Sequence, residues 1–328
     1  MHIRNLIRES NKIKIFSTSL LPLIPKDTGS KLCLFLNIHK KNQQYPASVF
    51  KLFTEKRVII RNKRKVYSMG NLFQFRVNKT ESPYWAFAIH DSHQIDERLL
   101  PYLQLDEKTR FREEDPHTGC MAELPINQFL VSTSRFQLDI NRKIEDAIYL
   151  HPDQAWGLNV WKDLPADLIA ALQSVHTDTY RQIDTLIEET ILHYGYFMIW
   201  DLHSYNAKRE SPDQQIDAQA NPQINLGTFY NHPKWRSVIE RFIKSVSVQK
   251  FRDEPIDIRE NVKFKGGYLA QHITSKYGDK GCVLSIEFRK DFMDEWTGVP
   301  YMPLIQSYKQ LLLHVLTDFK NDPIYAAG

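Results

Sequence analysis

A long amphipathic helix followed at once by a buried strand constrains the fold of this chain most. Apolar residues recur at helical spacing from Asp167 to His193, and Gly195 ends the pattern. The next residues, Tyr196 to Trp200, form an apolar run that ends abruptly in the polar sequence Asp-Leu-His-Ser. Strand ends are where α/β enzymes place their chemistry, because the sheet holds side chains rigidly while the loops leave them accessible. The pattern therefore predicts an α/β protein with a candidate site just after residue 200.

The alternation of strands and helices continues along the chain. We predict strands from Tyr84 to Ile89 and Gly281 to Phe288, and helices from Trp235 to Val248 and Pro303 to Phe319. Residues 207–223 are polar, contain two prolines and lack periodicity, so we expect a surface loop there. Alternating strands and helices favour a mixed β-sheet sandwiched between helices.

Charge is distributed unevenly along the chain. Residues 1–80 contain 17 Lys and Arg against three acidic residues, whereas the remainder contains 26 basic and 36 acidic residues. We therefore predict two units, a basic β-rich N-terminal appendage or sheet extension at 1–80 and an α/β domain at 81–328. Two interpretations of the basic unit stay open. It binds nucleic acid or another anionic partner, or it docks on the acidic domain of its own chain or of a twofold mate in a homodimer.

Composition and motif content exclude several classes of protein. No apolar run approaches the roughly 20 residues that span a bilayer, so we expect no membrane association. The basic N-terminus carries an apolar patch that prolines interrupt, which argues against a signal peptide. Three widely spaced cysteines without CxxC spacing are typical of reduced thiols in a cytoplasmic protein. The chain has no phosphate-binding glycine loop and no GxSxG elbow, which disfavours nucleotide enzymes and serine hydrolases.

Three predicted strand ends carry residues that could bind a metal. They are His90, the Asp201-Leu202-His203 segment and Glu287. Two histidines and a carboxylate at one sheet edge would suit a hydrolytic zinc site, because catalytic zinc takes three N/O ligands and leaves one position to water. Spacing alone leaves a structural role open for each residue, since the chain contains no HExxH pair.

A second candidate cluster is rich in arginine and amide side chains. The alternation Arg135, Gln137, Asp139, Asn141 predicts a polar row on one face of a strand from Phe136 to Ile140. An arginine fork with a neighbouring amide can bind a substrate carboxylate through two hydrogen bonds. The alternative is that these arginines form only structural ion pairs.

Seven short motifs follow one another along the chain. They are His90, Glu113-Glu114-Asp115, the SRxxxDxNR block at 134–142, Asp201-Leu202-His203-Ser204, Asn225-Leu226-Gly227-Thr228-Phe229, Phe264-Lys265-Gly266-Gly267, and Ile286-Glu287 before Phe292-Met293-Asp294-Glu295. Their order is that found in N-formylglutamate amidohydrolases, and the chain resembles that family over roughly residues 84–300. The family's PHxG sequence around the first histidine is not kept, because Ile89-His90-Asp91-Ser92 stands there. Residues 1–80 lie outside the resemblance.

The resemblance implies a fold related to the zinc carboxypeptidases, with a metal-activated water. It implies roles for eight residues: His90, Asp115 and His203 as zinc ligands, Glu287 as general base, Asp201 as the group that orients His203, and Arg135, Asn141 and Arg142 as holders of the substrate carboxylate. Glu114, His93 and His117 are alternatives to Asp115 as the third ligand.

We therefore predict a cytoplasmic zinc amidohydrolase. Its expected substrate is an N-formyl or N-acyl amino acid, or a short peptide, with a free carboxylate. The alternative is a non-catalytic binding or regulatory protein on the same fold, which uses its basic N-terminal segment on nucleic acid or another anionic partner.

Overall fold

The computed structural model of the chain describes residues 63–69, 72–251 and 254–321. The sequence also predicts strands at 31–39 and 57–61 from their apolar or alternating runs, and both lie outside the described residues. The described strands are β1 (Lys63–Met69), β2 (Phe73–Lys79), β3 (Tyr84–Ala88), β4 (Asn127–Val131), β5 (Phe197–Tyr205), β6 (Ile224–Gly227), β7 (Lys250–Phe251), β8 (Glu254–Pro255), β9 (Ile258–Glu260) and β10 (Gly281–Arg289). The helices are α1 (Glu107–Glu113), α2 (Thr118–Met121), α3 (Ala166–Tyr194), α4 (Arg236–Ser247), α5 (Tyr268–Tyr277) and α6 (Met302–Asn321).

Eight strands form one mixed sheet in the order β1-β2-β4-β3-β5-β10-β6-β9. Strands β4, β3, β5 and β10 pair parallel with one another, and β6 pairs parallel with β9. The pairs β1–β2, β2–β4 and β10–β6 are antiparallel. Every residue of β3 and β5 is buried, as expected for central parallel strands that helices cover on both faces. The predicted mixed α/β sheet is confirmed.

Alternating side chains divide the core into two layers, because successive residues of a strand point to opposite faces. In β5, Phe197 and Ile199 pack in one layer with apolar residues of α3 and α5. Met198 and Trp200 pack in the other layer with residues of α4 and α6. The sheet is therefore sandwiched between helices, as predicted. The long helix α3 also ends where expected, with Gly195 at φ 80° as its C-cap.

Strand β5 is longer than its apolar run. Its pairing with β10 continues to Arg289 and Tyr205, so the predicted strand end at Trp200 is wrong. The residues beyond Trp200 include Asp201 and His203, and both are buried. Hydrophobicity fails to mark the strand end because these polar side chains face charged partners inside the protein.

The segment 134–142 is not a strand, so the predicted polar row on one face is wrong. Its backbone turns twice, with the Gln137 amide donating to the Ser134 carbonyl and the Arg142 amide donating to the Asp139 carbonyl. The sequence also predicts a helix that starts at Pro116 with Asp115 as its N-cap. The helix α2 starts two residues later, at Thr118, with His117 as its N-cap.

The hairpin of β1 and β2 extends the main sheet, because β2 pairs with β4. Residues 63–69 and 73–79 are therefore part of the eight-stranded sheet. The division of the chain at residue 80 stays a prediction, since residues 1–62 lie outside the described part. Among the described helices, none is both long and apolar enough to cross a bilayer.

Candidate active site

The candidate site lies where one layer of the core changes from apolar to polar. Along one face of β5, Ile199 is followed by Asp201 and then by His203. On the same face of β10, Val283 is followed by Ser285 and Glu287. Because β5 and β10 are parallel, Glu287 lies directly beside His203 in the sheet register.

His90, Asp115 and His203 come together at this position. Nδ1 of His90 is 3.2 Å from Oδ2 of Asp115, and Nδ1 of His203 is 3.0 Å from the same oxygen. The two imidazole centroids are 5.0 Å apart, and the three side chains are buried. One candidate ligand atom from each residue lies within 4.8 Å of the other two, close enough to share one ion.

A separate carboxylate faces the other nitrogen of each imidazole. Nε2 of His90 is 2.8 Å from Oδ1 of Asp139, within hydrogen-bond geometry. Nε2 of His203 is 3.0 Å from Oδ2 of Asp201, an ion-pair distance without hydrogen-bond geometry. Histidines that bind metals usually have such a partner, which sets the tautomer and the ring orientation. The sequence reasoning assigned this part to Asp201 but missed Asp139, although Asp139 belongs to the SRxxxDxNR motif.

The charge at the site fits a bound divalent cation. Of the buried carboxylates, Asp139 pairs with Arg135 at 2.8 Å, whereas Asp115 faces two imidazoles and Asp201 faces one. Burial alone would lower the pKa of His203, but Asp201 and Asp115 raise that pKa well above its usual value. The same excess of negative charge would stabilise a cation held by two imidazole nitrogens and a carboxylate, which is a common donor set for zinc.

The alternatives to Asp115 face other partners. Glu114 accepts a hydrogen bond from the hydroxyl of Ser134, and burial raises the pKa of its carboxyl to about 7. His93 and His117 pack against phenylalanine rings, at 5.6 Å and 6.4 Å between centroids. Among these residues the structure places Asp115 alone between the two imidazoles.

Glu287 has the position and the pKa that a proton acceptor needs. Its side chain is partly buried, lines a cavity next to the histidines, and lies beside His203 in register. Burial raises the pKa of Glu287 to about 7, against the opposing effect of the positive charge on His203. A carboxyl with such a pKa exchanges protons near neutral pH.

The cavity has a volume of about 740 Å³ and is predominantly basic. Seven Lys and Arg residues line it, against four Asp and Glu residues. Clefts lined mainly by one sign of charge attract ligands of the opposite sign. The cavity therefore suits an anionic ligand.

The three residues predicted to hold a substrate carboxylate all line this cavity. The Arg135 guanidinium donates to Asp139 at 2.8 Å and to the Tyr149 hydroxyl at 3.2 Å, so two of its five N–H groups are used inside the protein. Arg142 lies 5.9 Å from the Tyr149 ring centroid and is only partly buried. Both arginines are partly buried and line the cavity.

Asn141 is held by the glycine turn before α5. Its Oδ1 atom accepts a hydrogen bond of 3.0 Å from the Leu269 amide, and its carbonyl accepts one of 3.1 Å from the Tyr268 amide. A Cβ atom on Gly267 would clash with the side chain of Asn141. The FKGG motif therefore needs glycine at this position because the Asn141 amide packs against it.

Lys290 is a further residue of the site that the sequence reasoning missed. Its side chain is buried, and Nζ donates to the carbonyl groups of Arg112 at 2.6 Å and Glu114 at 2.7 Å. Burial lowers the pKa of Lys290 to about 8. The ammonium group thus holds the backbone that leads directly into Asp115.

Comparison with known proteins points to one family and one fold. The family model described as N-formylglutamate amidohydrolase matches residues 83–293, more than half of the chain. The chain is similar to the crystal structure of N-formylglutamate amidohydrolase from Ralstonia eutropha JMP134, with a TM-score of 0.60, 13% identity, and coverage of 75% of this chain and 98% of that one. A gene product from Agrobacterium tumefaciens gives a TM-score of 0.53, 14% identity, and coverage of 78% and 96%.

Similarity is lower to a metallo-carboxypeptidase from Burkholderia cenocepacia, with a TM-score of 0.37, 14% identity, and coverage of 79% of this chain and 65% of that one. No curated protein matches the chain by sequence. At 13% and 14% identity, the structures from Ralstonia eutropha and Agrobacterium tumefaciens show a shared fold.

Proposed function

The chain belongs to the N-formylglutamate amidohydrolase family, and on this premise we propose that it is a zinc-dependent amidohydrolase. Its proposed substrate is an N-formyl or N-acyl amino acid, or a short peptide, with a free carboxylate. Family membership supports hydrolysis of an amide bond. The observation that carries the metal dependence is the buried cluster of His90, Asp115 and His203 beside a basic cavity.

We propose that these three residues hold the zinc ion through Nδ1 of each imidazole and a carboxylate oxygen of Asp115. When bound, zinc would supply a Lewis acid that polarises the amide carbonyl and makes water a nucleophile near neutral pH. Asp139 and Asp201 keep the two imidazoles oriented from the opposite ring nitrogens.

Glu287 is the proposed proton carrier. Its position beside His203 lets the carboxylate accept a proton from the attacking water. The same carboxyl then donates a proton to the leaving nitrogen as the amide carbon–nitrogen bond breaks. A pKa near neutrality suits both steps, because such a group gives up and accepts protons with similar ease.

Arg142 and Asn141 are the proposed contacts to the substrate carboxylate. Arg142 is partly accessible in the cavity, and the Asn141 backbone and amide are fixed by α5. Arg135 adds positive charge while it stays bound to Asp139. A carboxylate held here would keep the amide bond in a defined position relative to Glu287.

Replacing Glu287 with Gln tests the proposal. We expect about one zinc per chain in the wild type and in the variant, and a turnover number that falls by about 10²- to 10⁴-fold in Glu287→Gln. Glu188→Gln is the matched control, because this carboxylate lies on α3, is exposed and accepts a hydrogen bond from Tyr277. Zinc-dependent hydrolysis that is unchanged in Glu287→Gln would contradict the base role.

The alternative of a non-catalytic binding protein rests on residues 1–80, most of which lie outside the described part of the chain. Zinc stoichiometry and turnover separate the two functions. Salt-dependent nucleic-acid binding without metal or hydrolysis would favour the alternative.

A further inference from the structure

The loop of residues 140–142, which carries two of the proposed carboxylate contacts, is held by a pair of side chains on helix α3. Nε2 of His176 donates to the Arg142 carbonyl at 3.0 Å, and the Tyr180 hydroxyl donates to the Ile140 carbonyl at 2.5 Å. We propose that His176 and Tyr180 are positioning residues, which fix this loop and thereby determine the affinity for the substrate carboxylate. This inference rests on the proposed function, and it adds two residues that the sequence motifs do not contain.

Three consecutive carbonyl groups of the loop accept hydrogen bonds from two helices. Tyr180 and His176 of α3 bind the first and the third. The Tyr268 amide at the start of α5 binds the middle one, that of Asn141, at 3.1 Å. Because a peptide unit is planar, a held carbonyl also fixes the orientation of its whole unit. The backbone that carries the Asn141 and Arg142 side chains is therefore fixed at each step.

His176 and Tyr180 form one unit on α3. They are four residues apart, so they lie on the same face of the helix, and their ring centroids are 4.8 Å apart. The ring of Tyr268, which lines the cavity, packs against both at 6.3 Å and 5.3 Å between centroids. Both side chains of the pair are buried, and neither lines the cavity. Any effect of the pair on the substrate must therefore pass through the loop.

The hydrogen bond to Arg142 defines the state of the His176 imidazole. A carbonyl oxygen can only accept, so Nε2 of His176 must carry a hydrogen. Burial lowers the pKa of His176, which keeps the ring neutral near neutral pH. The pair thus fixes the loop without adding charge beside the cavity. A substitution at His176 needs only to preserve the N–H donor to preserve this role.

Removal of each donor tests the assignment. Tyr180→Phe keeps the ring and removes only the hydroxyl that binds the Ile140 carbonyl. His176→Phe removes the N–H donor, whereas His176→Gln places an amide N–H near the position of Nε2. Tyr84→Phe is the matched control, because the buried Tyr84 hydroxyl donates to the Phe319 carbonyl at 3.4 Å in the opposite layer of the core.

Two compounds that differ only in the free carboxylate separate positioning from general stability. They are N-formylalanine and N-formylalaninamide, each tested with zinc-loaded protein. We expect the wild type to prefer the acid by about 10- to 100-fold in kcat/KM, as for a hydrogen bond to a charged group. A role in stability alone would lower kcat/KM for both compounds alike and leave their ratio unchanged.

Tyr180→Phe and His176→Phe should each lower the acid-to-amide ratio by about 2- to 10-fold, the factor for one neutral hydrogen bond. The loss should appear mainly in KM for the acid, and His176→Gln should restore part of the ratio. Tyr84→Phe should keep the wild-type ratio. Tyr180→Phe removes a single oxygen atom and decides the test by itself if His176→Phe does not fold. A wild-type ratio in Tyr180→Phe, or an equal loss in Tyr84→Phe, would overturn the assignment.

Binding measurements separate this inference from the proposed function. Calorimetric titration of N-formylalanine into Glu287→Gln protein should give a Kd about 2- to 10-fold lower than in the same protein that also carries Tyr180→Phe. This difference without turnover in the wild type would support the positioning pair and contradict the amidohydrolase. Turnover in the wild type, with the same acid-to-amide ratio in every variant, would contradict the positioning pair alone.

Discussion

Replacing Asp139 with Asn should weaken zinc binding while every proposed ligand stays in place. The buried carboxylate accepts hydrogen bonds of 2.8 Å each from His90 Nε2, Arg135 Nη2 and the Asn141 amide, and a fourth from the Tyr149 hydroxyl. Asparagine keeps the shape but turns one acceptor oxygen into a donor, so at least one of these donors loses its partner.

The magnitude follows from the charge of the lost interaction. A hydrogen bond to a charged group contributes about 1.5–3 kcal/mol, which corresponds to about 10- to 100-fold in an equilibrium constant. Mutation of a group that orients a metal-binding histidine lowers metal affinity by about the same factor. We therefore expect the zinc Kd of Asp139→Asn to be about 10- to 100-fold higher than that of the wild type.

Competition with a chromophoric chelator measures this Kd, on protein whose fold is checked by circular dichroism. Asp184→Asn is the matched control, because Asp184 pairs with Nε2 of His272 at 2.8 Å without lining the cavity. Breaking the buried Asp139–Arg135 pair should also destabilise the metal-free fold by about 3–5 kcal/mol. A folded Asp139→Asn protein that binds zinc within twofold of the wild type would refute the orienting role. An equal loss in Asp184→Asn would do the same.

Three further outcomes are expected. The neighbouring carboxylates raise the pKa of His203, so a proton on this imidazole stabilises the metal-free fold at low pH. This stabilisation is lost as the pH rises through the raised pKa. Zinc must displace the proton, so zinc affinity should rise with pH, and calorimetry in buffers of different ionisation enthalpy should detect proton release. Lys290→Met removes the ammonium that binds the Glu114 carbonyl, so zinc affinity should fall by about tenfold. Lys290→Arg should restore part of this affinity. Equal zinc affinities in the wild type and in Lys290→Met would exclude a positioning role for Lys290. Gly267→Ala should displace the Asn141 side chain and raise KM more than it lowers kcat in steady-state kinetics. An unchanged KM would argue against a contact between Asn141 and the substrate carboxylate.

The errors in the sequence interpretation share one cause. Alternating polar residues from Arg135 to Asn141 look like a half-buried strand, but in the structure they bond one another and distant parts of the chain. Gln137 donates to the Leu72 carbonyl, whereas Asp139 accepts from His90. The apparent end of β5 at Trp200 has the same origin, because hydropathy cannot distinguish a solvated aspartate from one that faces a buried imidazole.

Residue types and their order were sufficient to predict the mixed α/β sheet, the family resemblance and the closeness of His90 to His203. These features depend on local periodicity and on short motifs, which a linear chain displays directly. Which carboxylate lies between the histidines is a different kind of question. Asp115 meets His90 from 25 residues away and His203 from 88 residues away.

Only the tertiary structure brings such distant residues to one point, and it does so through the parallel register of β3, β5 and β10. Folding likewise brings Asp139 to His90 and Lys290 to the backbone before Asp115. The physical reason is that a buried charge is stable only next to its partners, and folding, not sequence distance, sets which partners are near.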